Sequence, residues 1–168
     1  MAYVHRNPPL TDGEAAKLAA ACRSLREKRV IWTLLDTGLP VNELASLRKQ
    51  QMNVQSRCLY VGAVGELRAI PMTPRIAPLL DNWFSKNESF GLSARSVQRV
   101  IRDVASRSGI DGRVTAERLR RTFGFVTARS GMSPFELQRL LGHKHLASTA
   151  AYYERALGDA APDWSEDI

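Results

Sequence analysis

The sequence predicts a mainly α-helical α+β fold that carries a small three-stranded antiparallel sheet. Apolar residues recur at helical spacing over most of the chain, and between residues 52 and 71 the spacing changes to that of short strands. Size agrees with this fold, because 168 residues with 44% apolar and 24% charged side chains suit one globular domain.

Three helices are expected before the sheet. Thr11 and Glu14 have the spacing of a capping box, and the apolar pattern that follows predicts a helix of about 15 residues. A second helix is expected over residues 30–35, ended by Gly38, and a third over residues 42–50.

The sheet is expected in the middle of the chain. Residues 58–62 and 67–71 are short β-rich runs around a turn at residues 64–66, and residues 52–54 supply a third strand. Turn residues separate these runs closely enough for antiparallel pairing.

Five further helices are expected after the sheet, over residues 75–84, 94–106, 116–128, 134–141 and 149–156. Ser133, Pro134 and Glu136 give the fourth of them an N-cap, a proline at its first position and a capping glutamate. We therefore divide the chain into a domain of residues 1–157 and an acidic tail of residues 158–168.

The tail has one aromatic side chain among carboxylates. Trp164 is flanked by Asp159, Asp163, Glu166 and Asp167, and the segment contains no basic residue. Such an anchor suits docking on a second copy of the chain, which would make a homo-oligomer, or on the basic surface of the same chain. A frayed terminus is the alternative.

Charge points to a polyanionic partner. The 24 Lys and Arg residues outnumber the 17 Asp and Glu residues, which gives a net charge of +7, and 19 of the basic residues are arginine. Arginine suits bidentate contacts to phosphate and guanine, so we expect double-stranded DNA as the partner.

The sequence lacks patterns for other environments. No apolar run approaches the roughly 20 residues needed to span a bilayer, and the N-terminus does not resemble a signal peptide, so we expect a cytoplasmic protein with no membrane contact. Cys22 and Cys58 are isolated, and His143 and His145 have no further ligands near them, so we expect neither a metal nor a cofactor.

One predicted helix has a basic face. Residues Arg95, Gln98, Arg99 and Arg102 follow the spacing i, i+3, i+4 and i+7, while apolar residues occupy the opposite side. Such a face is either a solvated surface or a surface for nucleic acid.

Three separated segments resemble the signature boxes of the tyrosine recombinases, the phage integrase family. They are residues 35–47, 115–123 and 140–153, and they occur in the same order as the boxes of that family. A hairpin that ends at residues 69–71 lies between the first two boxes, as in that family. The resemblance covers residues 10–157 and implies that family's catalytic domain standing alone, without its separate N-terminal DNA-clamping domain.

The resemblance also implies a chemistry. A tyrosine hydroxyl in this family attacks a DNA phosphodiester and forms a 3′-phosphotyrosine, without a metal. Tyr152 matches this nucleophile, while Arg120 and His143 match groups that stabilise the charged transition state. From the residues alone, Tyr152 could instead be a core side chain, Arg120 a phosphate ligand without chemistry, and His143 a cap of helix carbonyls.

Three catalytic positions of the family are replaced in this chain. Pro40 stands in place of the first arginine, Glu117 in place of a histidine and Ala63 in place of the hairpin lysine. Each lost transition-state donor costs roughly 10²- to 10³-fold in rate, so we expect a DNA-binding protein inactive for strand cleavage, with a regulatory or accessory role. The alternatives are a divergent recombinase or nickase that uses Tyr152, and a helix-turn-helix transcriptional regulator built on residues 127–153.

The resemblance places the basic helix in the major groove of DNA. Arg95 and Gln98 are then expected to read bases. The expected phosphate ligands are Arg48, Arg99, Arg102, Arg118, Arg121 and Lys144.

Overall fold

The computed structural model describes residues 7–158, and the following elements lie within that range. The helices are α1 (Asp12–Ala20), α2 (Leu25–Thr37), α3 (Val41–Ala45), α4 (Ala77–Phe84), α5 (Ala94–Ser108), α6 (Ala116–Arg129), α7 (Pro134–Leu141) and α8 (Leu146–Leu157). The strands are β1 (Met52–Asn53), β2 (Cys58–Val61) and β3 (Arg68–Pro71), so the predicted fold class is confirmed.

The first helix is shorter than expected because a new helix begins close behind it. The Thr11–Glu14 capping box is present, but α1 ends at Ala20. The Ser24 side chain then accepts a hydrogen bond from the Glu27 N–H and so starts α2 well before the predicted residue 30.

Gly38 ends α2, as predicted. Its φ of 64° lies in the left-handed region, which glycine adopts readily. A Cβ at this position would stand 2.3 Å from Cδ1 of Phe123 on α6. The close approach lets α2 and α6 pack against each other at this point.

The third predicted helix is also shorter in the structure, because long-range backbone bonds replace helical ones. After Ala45, the Leu47 carbonyl accepts from the Phe90 N–H at 2.8 Å, and the Lys49 N–H donates to the Glu88 carbonyl at 3.1 Å. Sequence spacing does not report such partners.

The three strands form an antiparallel sheet in the order β1-β2-β3. Leu59 pairs with Ile70, and both side chains are buried on the same face. Tyr60 pairs with Ala69 on the opposite, exposed face. This alternation turns one face of the sheet toward the core.

Two apolar clusters hold the elements together. The larger is built by α1 to α5 with the sheet, and α5 contributes Val97, Val100, Ile101 and Val104 to it. The smaller lies among α6, α7 and α8, where Leu137, Leu141 and Tyr153 pack around Ala128. The candidate catalytic residues lie beside this smaller cluster.

The predictions for the acidic tail, apart from Gly158, concern residues outside the described range. Of the helices between residues 7 and 158, none has both the length and the apolar character that crossing a bilayer would require.

Candidate active site

Three helical segments bring together the residues matched to the family's catalytic groups. Arg120 lies on α6, His143 follows α7 and Tyr152 lies on α8. The His143 and Tyr152 rings stack with their centroids 6.1 Å apart and an interplanar angle of 10°. The positive charge of Arg120 acts on both rings, so the three groups meet at one place.

The Arg120 guanidinium connects α6 to two neighbouring segments. Its Nη1 donates to the Gly38 carbonyl and its Nη2 to the Leu141 carbonyl, each at 2.6 Å. Burial lowers the pKa of Arg120, yet an arginine remains charged at any physiological pH. Arg120 therefore places a positive charge at the site and also supports the fold.

His143 is held in a neutral state. Its Nδ1 lies 2.9 Å from Oγ1 of Thr149, whereas its backbone N–H, and not its ring, bonds to the Gln138 carbonyl at the end of α7. Burial, with the positive charges of Arg120 and Arg68, lowers the pKa of His143 to about 4. The alternative in which this imidazole caps helix carbonyls is therefore wrong.

The two adjacent tyrosines differ in environment. Tyr153 is buried, and its hydroxyl donates to the Met132 carbonyl. The Tyr152 hydroxyl makes no hydrogen bond within residues 7–158 and is not one of the buried unpaired polar atoms there, so solvent reaches it. Burial of the ring raises the pKa of Tyr152, and the Arg120 charge opposes that rise.

Close packing sets the position of the Tyr152 ring. A Cβ at Gly124, on the facing side of α6, would stand 2.9 Å from Cζ of Tyr152. The absence of a side chain at Gly124 therefore lets α8 lie against α6 with its tyrosine between them.

The replaced positions line two separate cavities. Pro40 and Glu117 line a cavity of about 700 Å³ together with Gln98 and Arg102 of α5. Pro40 is the N-cap residue of α3, and Glu117 is an exposed carboxylate 3.6 Å from Nε of Arg121.

Ala63 is exposed in the β2–β3 hairpin. It lines a separate cavity of about 750 Å³. The hairpin tip beside it exposes Val64, Glu66 and Leu67. The hydrocarbon side chains of Ala63, Val64 and Leu67 cannot donate a proton to a leaving oxygen.

Arg68 is a charged residue of the site to which the sequence assigned no role. Its guanidinium forms a bidentate ion pair with Glu43 of α3, and its Nε donates to the Leu140 carbonyl at 3.0 Å. It therefore joins β3, α3 and α7 beside Gly142. The partners are 25 and 72 residues away, so no local pattern indicates them.

The predicted DNA-contacting residues divide into exposed and internal ones. The exposed ones are Arg48, Arg95, Gln98, Arg99, Arg102 and Lys144. Arg121 is partly buried, and its Nη1 donates to the Asn7 carbonyl at 2.9 Å.

The prediction for Arg118 is wrong. Only 5% of this residue is exposed, because its guanidinium donates to the carbonyls of Pro8, Asp111 and Arg113. Glu14 also lies 3.8 Å away. Arg118 thus fastens the segment before α1 to α6 and does not face a phosphate.

Within the described residues, no group of three or more His, Cys, Asp or Glu side chains is placed to hold a metal ion.

Comparison with known proteins identifies the family. The model of the phage integrase family matches residues 9–157. The tyrosine recombinase XerA of Saccharolobus solfataricus is 30% identical over 156 residues, which cover 89% of this chain and 53% of that protein. XerA of Pyrococcus horikoshii is 26% identical, covering 85% and 55%, and XerC of Chlamydia pneumoniae is 25% identical, covering 76% and 46%. The chain spans about half the length of these relatives.

Solved structures show the same fold. The crystal structure of XerA recombinase superposes with a TM-score of 0.80 at 24% identity, covering 99% of this chain and 65% of that one. The Tn1549 transposon integrase in complex with a circular intermediate DNA gives 0.76 at 19% identity, with coverage of 99% and 67%. XerH bound to palindromic difH substrate gives 0.74 at 19% identity, with coverage of 96% and 54%. The match spans residues 127–153 as well, so the helix-turn-helix alternative is not supported, and the chain belongs to the phage integrase family.

Proposed function

We propose that this chain binds double-stranded DNA through the exposed face of α5. The observation that carries the proposal is the electrostatic state of Arg95, Arg99 and Arg102, which are exposed and belong to none of the ion pairs within residues 7–158. Unpaired arginines on one helix face retain their full charge for phosphates.

Other arginines of the chain are neutralised. Arg75 pairs with Asp36, Arg107 with Glu27 and Arg129 with Asp12, at 2.6 to 2.7 Å. The net charge of +7 is therefore concentrated where the arginines lack partners, and the α5 face is one such place. The Tn1549 integrase and XerH, which share this fold, were solved as DNA complexes.

Salt titration with matched variants tests DNA binding. Affinity for a fluorescent duplex should fall as salt rises, and Arg102→Ala should reduce the slope of log K against log salt by about 1. Arg129→Ala, which removes the same charge from an existing ion pair, should change the slope much less. Equal slopes for both variants, or an affinity that does not respond to salt, would refute the role of α5.

Base reading calls for a separate comparison. Arg95 and Gln98, at the start of the same face, are proposed to contact bases, so Arg95→Ala and Gln98→Ala should reduce discrimination between duplex sequences. Lys144→Ala should weaken binding to all sequences alike. Each variant is used to select duplexes from a random-sequence library, and the selected duplexes are sequenced. The results separate a loss of sequence preference from a uniform loss of affinity.

A second function is favoured by the meeting of Arg120, His143 and Tyr152. We propose that Tyr152 is the nucleophile of a divergent tyrosine recombinase. Its oxygen would attack the phosphorus of a DNA phosphodiester, the bond from phosphorus to the 5′ oxygen would break, and the leaving 5′ oxygen would take a proton from solvent water. A 3′-phosphotyrosine with a free 5′ hydroxyl would result. The accessible Tyr152 hydroxyl supports this assignment over Tyr153, whose hydroxyl is bonded to Met132.

The neighbouring groups fit roles in this step. His143 is neutral near pH 7 and stacks on the Tyr152 ring, but its pKa of about 4 makes it a weak base, so the tyrosine proton would go to solvent water. Arg120 uses two N–H donors for carbonyls and has three more for the charged phosphorane. With Pro40, Ala63 and Glu117 in place of the family's donors, the step should be slower than in a complete site by at least about 10²-fold.

A nicked duplex that traps the covalent product tests cleavage. An SDS-resistant protein–DNA adduct should form slowly with the wild-type chain and be absent in Tyr152→Phe. Tyr153→Phe, which also removes a hydroxyl, should still form it. If the wild-type chain forms no adduct over days while binding the duplex, the protein has the non-cleaving accessory role that the replaced residues favour.

A further inference from the structure

A buried arginine on α2 has no counter-ion among residues 7–158. Arg29 is 5% exposed, and its guanidinium carbon lies 3.5 Å from the centroid of the Trp83 ring and 5.2 Å from that of Phe90. The rings sandwich the cation against apolar surface, which offsets part of its lost hydration. A buried charge normally also has an ionic or hydrogen-bonded partner.

The hydrogen bonds of Arg29 are incomplete. Its Nη2 donates to the Phe90 carbonyl at a long 3.5 Å, and its Nε is buried without a partner. Arg118, which is equally buried, donates to three carbonyls. Burial, together with the positive charge of Arg26, lowers the pKa of Arg29 to about 10, and no carboxylate counteracts this.

Arg29 lines a cavity that is rich in donors. The cavity measures about 690 Å³ and lies between the start of α2, the end of α4 and the start of α5. Arg26 and Lys86 line it with Arg29, and Asn82, Asn87 and Ser96 add amide and hydroxyl groups. Among the described residues that line it there is no Asp or Glu.

We propose that this cavity binds a phosphoryl group, with the Arg29 guanidinium at its base and Arg26 and Lys86 around it. Arginine presents paired N–H donors that match two oxygens of a phosphate, and lysine adds a mobile point charge. The volume exceeds that of a free phosphate and leaves space for the ester substituent that a phosphate carries.

Two kinds of molecule can supply the phosphoryl group. It belongs either to the backbone of bound duplex DNA, in which case the inference rests on the proposed DNA binding, or to a free phosphorylated ligand. The pocket residues are distinct from the α5 face and from Arg120, His143 and Tyr152. Loss of phosphate binding and loss of DNA binding can therefore be measured separately.

Inorganic phosphate is the first probe, titrated into the full chain by calorimetry at ionic strength held constant with chloride. Binding should be saturable, and the Arg26→Gln/Lys86→Gln double variant should weaken it at least tenfold. The control is Lys17→Gln/Arg23→Gln, which removes two exposed charges that do not line the cavity, and it should bind as the wild type does.

Arg29→Met tests the base of the cavity. A hydrophobic residue of similar length can replace an uncompensated buried charge without loss of stability, so this variant should fold and lose phosphate binding. If it fails to fold, the double variant still decides the proposal. Absence of saturable phosphate binding in the wild type, or equal binding by the double variant and its control, would overturn it and leave Arg29 a cation–aromatic packing residue.

A fluorescent duplex then identifies the source. If the DNA backbone supplies the group, the double variant should lose at least tenfold more duplex affinity than its control, and phosphate should compete with DNA. If a free ligand supplies it, both variants should bind DNA equally, and phosphate should bind the protein–DNA complex. A chain that binds phosphate but no duplex would refute the proposed function and keep the pocket.

Discussion

The residues retained at the candidate active site and the residues replaced there differ in how much the fold depends on them. The retained set is Arg120, His143 and Tyr152, and the replaced set is Pro40, Ala63 and Glu117. Each member of the retained set makes tertiary contacts, to carbonyls, to Thr149 or to the backbone at Gly124. In the replaced set, Ala63 and Glu117 are exposed, and Glu117 has only a surface ion pair with Arg121.

A residue of this candidate active site can therefore matter for two reasons, its part in the chemistry and its part in holding the fold. The hydrogen bonds of Arg120 to the Gly38 and Leu141 carbonyls join α6 to the end of α2 and the end of α7, and they do this whether or not a phosphate is bound. An exposed catalytic side chain, such as the family's lysine at the position of Ala63, contributes to the chemistry but hardly to the stability of the fold. The family's catalytic residues at these exposed positions can thus be replaced without loss of the fold.

Restoring the replaced set has the largest expected effect. The triple variant Pro40→Arg/Ala63→Lys/Glu117→His should form the Tyr152 adduct at least about 10²-fold faster than the wild type, since each restored donor is worth roughly 10²- to 10³-fold. Quenched time courses on the nicked duplex measure it. Glu117→Gln is the control, because it removes only the repulsive carboxylate. An unchanged rate would mean that the replacements do not limit cleavage.

Removing Arg120 should cost the most stability. In Arg120→Met, two charge-assisted hydrogen bonds are lost and the Gly38 and Leu141 carbonyls lose a partner, so the free energy of unfolding should fall by about 3 kcal/mol. Glu117→Gln should change it by less than about 0.5 kcal/mol. Urea denaturation compares the two variants. Similar values would remove the distinction between the retained and replaced sets.

Filling the space between α6 and α8 should have a smaller effect on stability. In Gly124→Ala, the new methyl group meets the Tyr152 ring, so we expect a loss of about 1 to 3 kcal/mol. Gly13→Ala on α1 is the matched control: its Cβ has only Thr11 Oγ1 at 4.0 Å, so it should stabilise by up to about 1 kcal/mol. A stabilising Gly124→Ala would show that the Tyr152 ring is not held there.

The pH dependence contributed by His143 should be the smallest effect. Because its pKa falls from about 6.5 in the unfolded chain to about 4 in the folded one, protonation favours the unfolded chain in that window. The contribution of His143 to the free energy of unfolding should therefore decrease as the pH is lowered from 6.5 to 4, and it should stay constant above pH 6.5. The difference between the wild type and His143→Asn, measured across this range, isolates the histidine. A difference that grows in favour of the wild type toward acid pH would contradict the burial of a neutral ring.

Local sequence was sufficient where both ends of an element were encoded nearby. Residues 134–141 form α7 as predicted, because Ser133 caps its start and Gly142, with a φ of 70°, ends it. The basic face of α5 followed from its spacing, and the ordered boxes predicted the family and the three retained residues. Local sequence failed for α3, whose continuation pairs with residues 88–90 instead.

The sequence by itself therefore determined the fold class, the family and the order of the candidate catalytic residues, because periodicity, caps and motif spacing are properties of neighbouring residues. Tertiary structure alone decided which charges are free. It buried Arg118 among carbonyls, paired Arg68 with Glu43 and left Arg29 without an anionic partner within the described part of the chain. Hydrogen bonds and ion pairs depend on distance in space. Pro8 lies 110 residues from Arg118 and Glu43 lies 25 residues from Arg68, so sequence spacing does not reveal these partners.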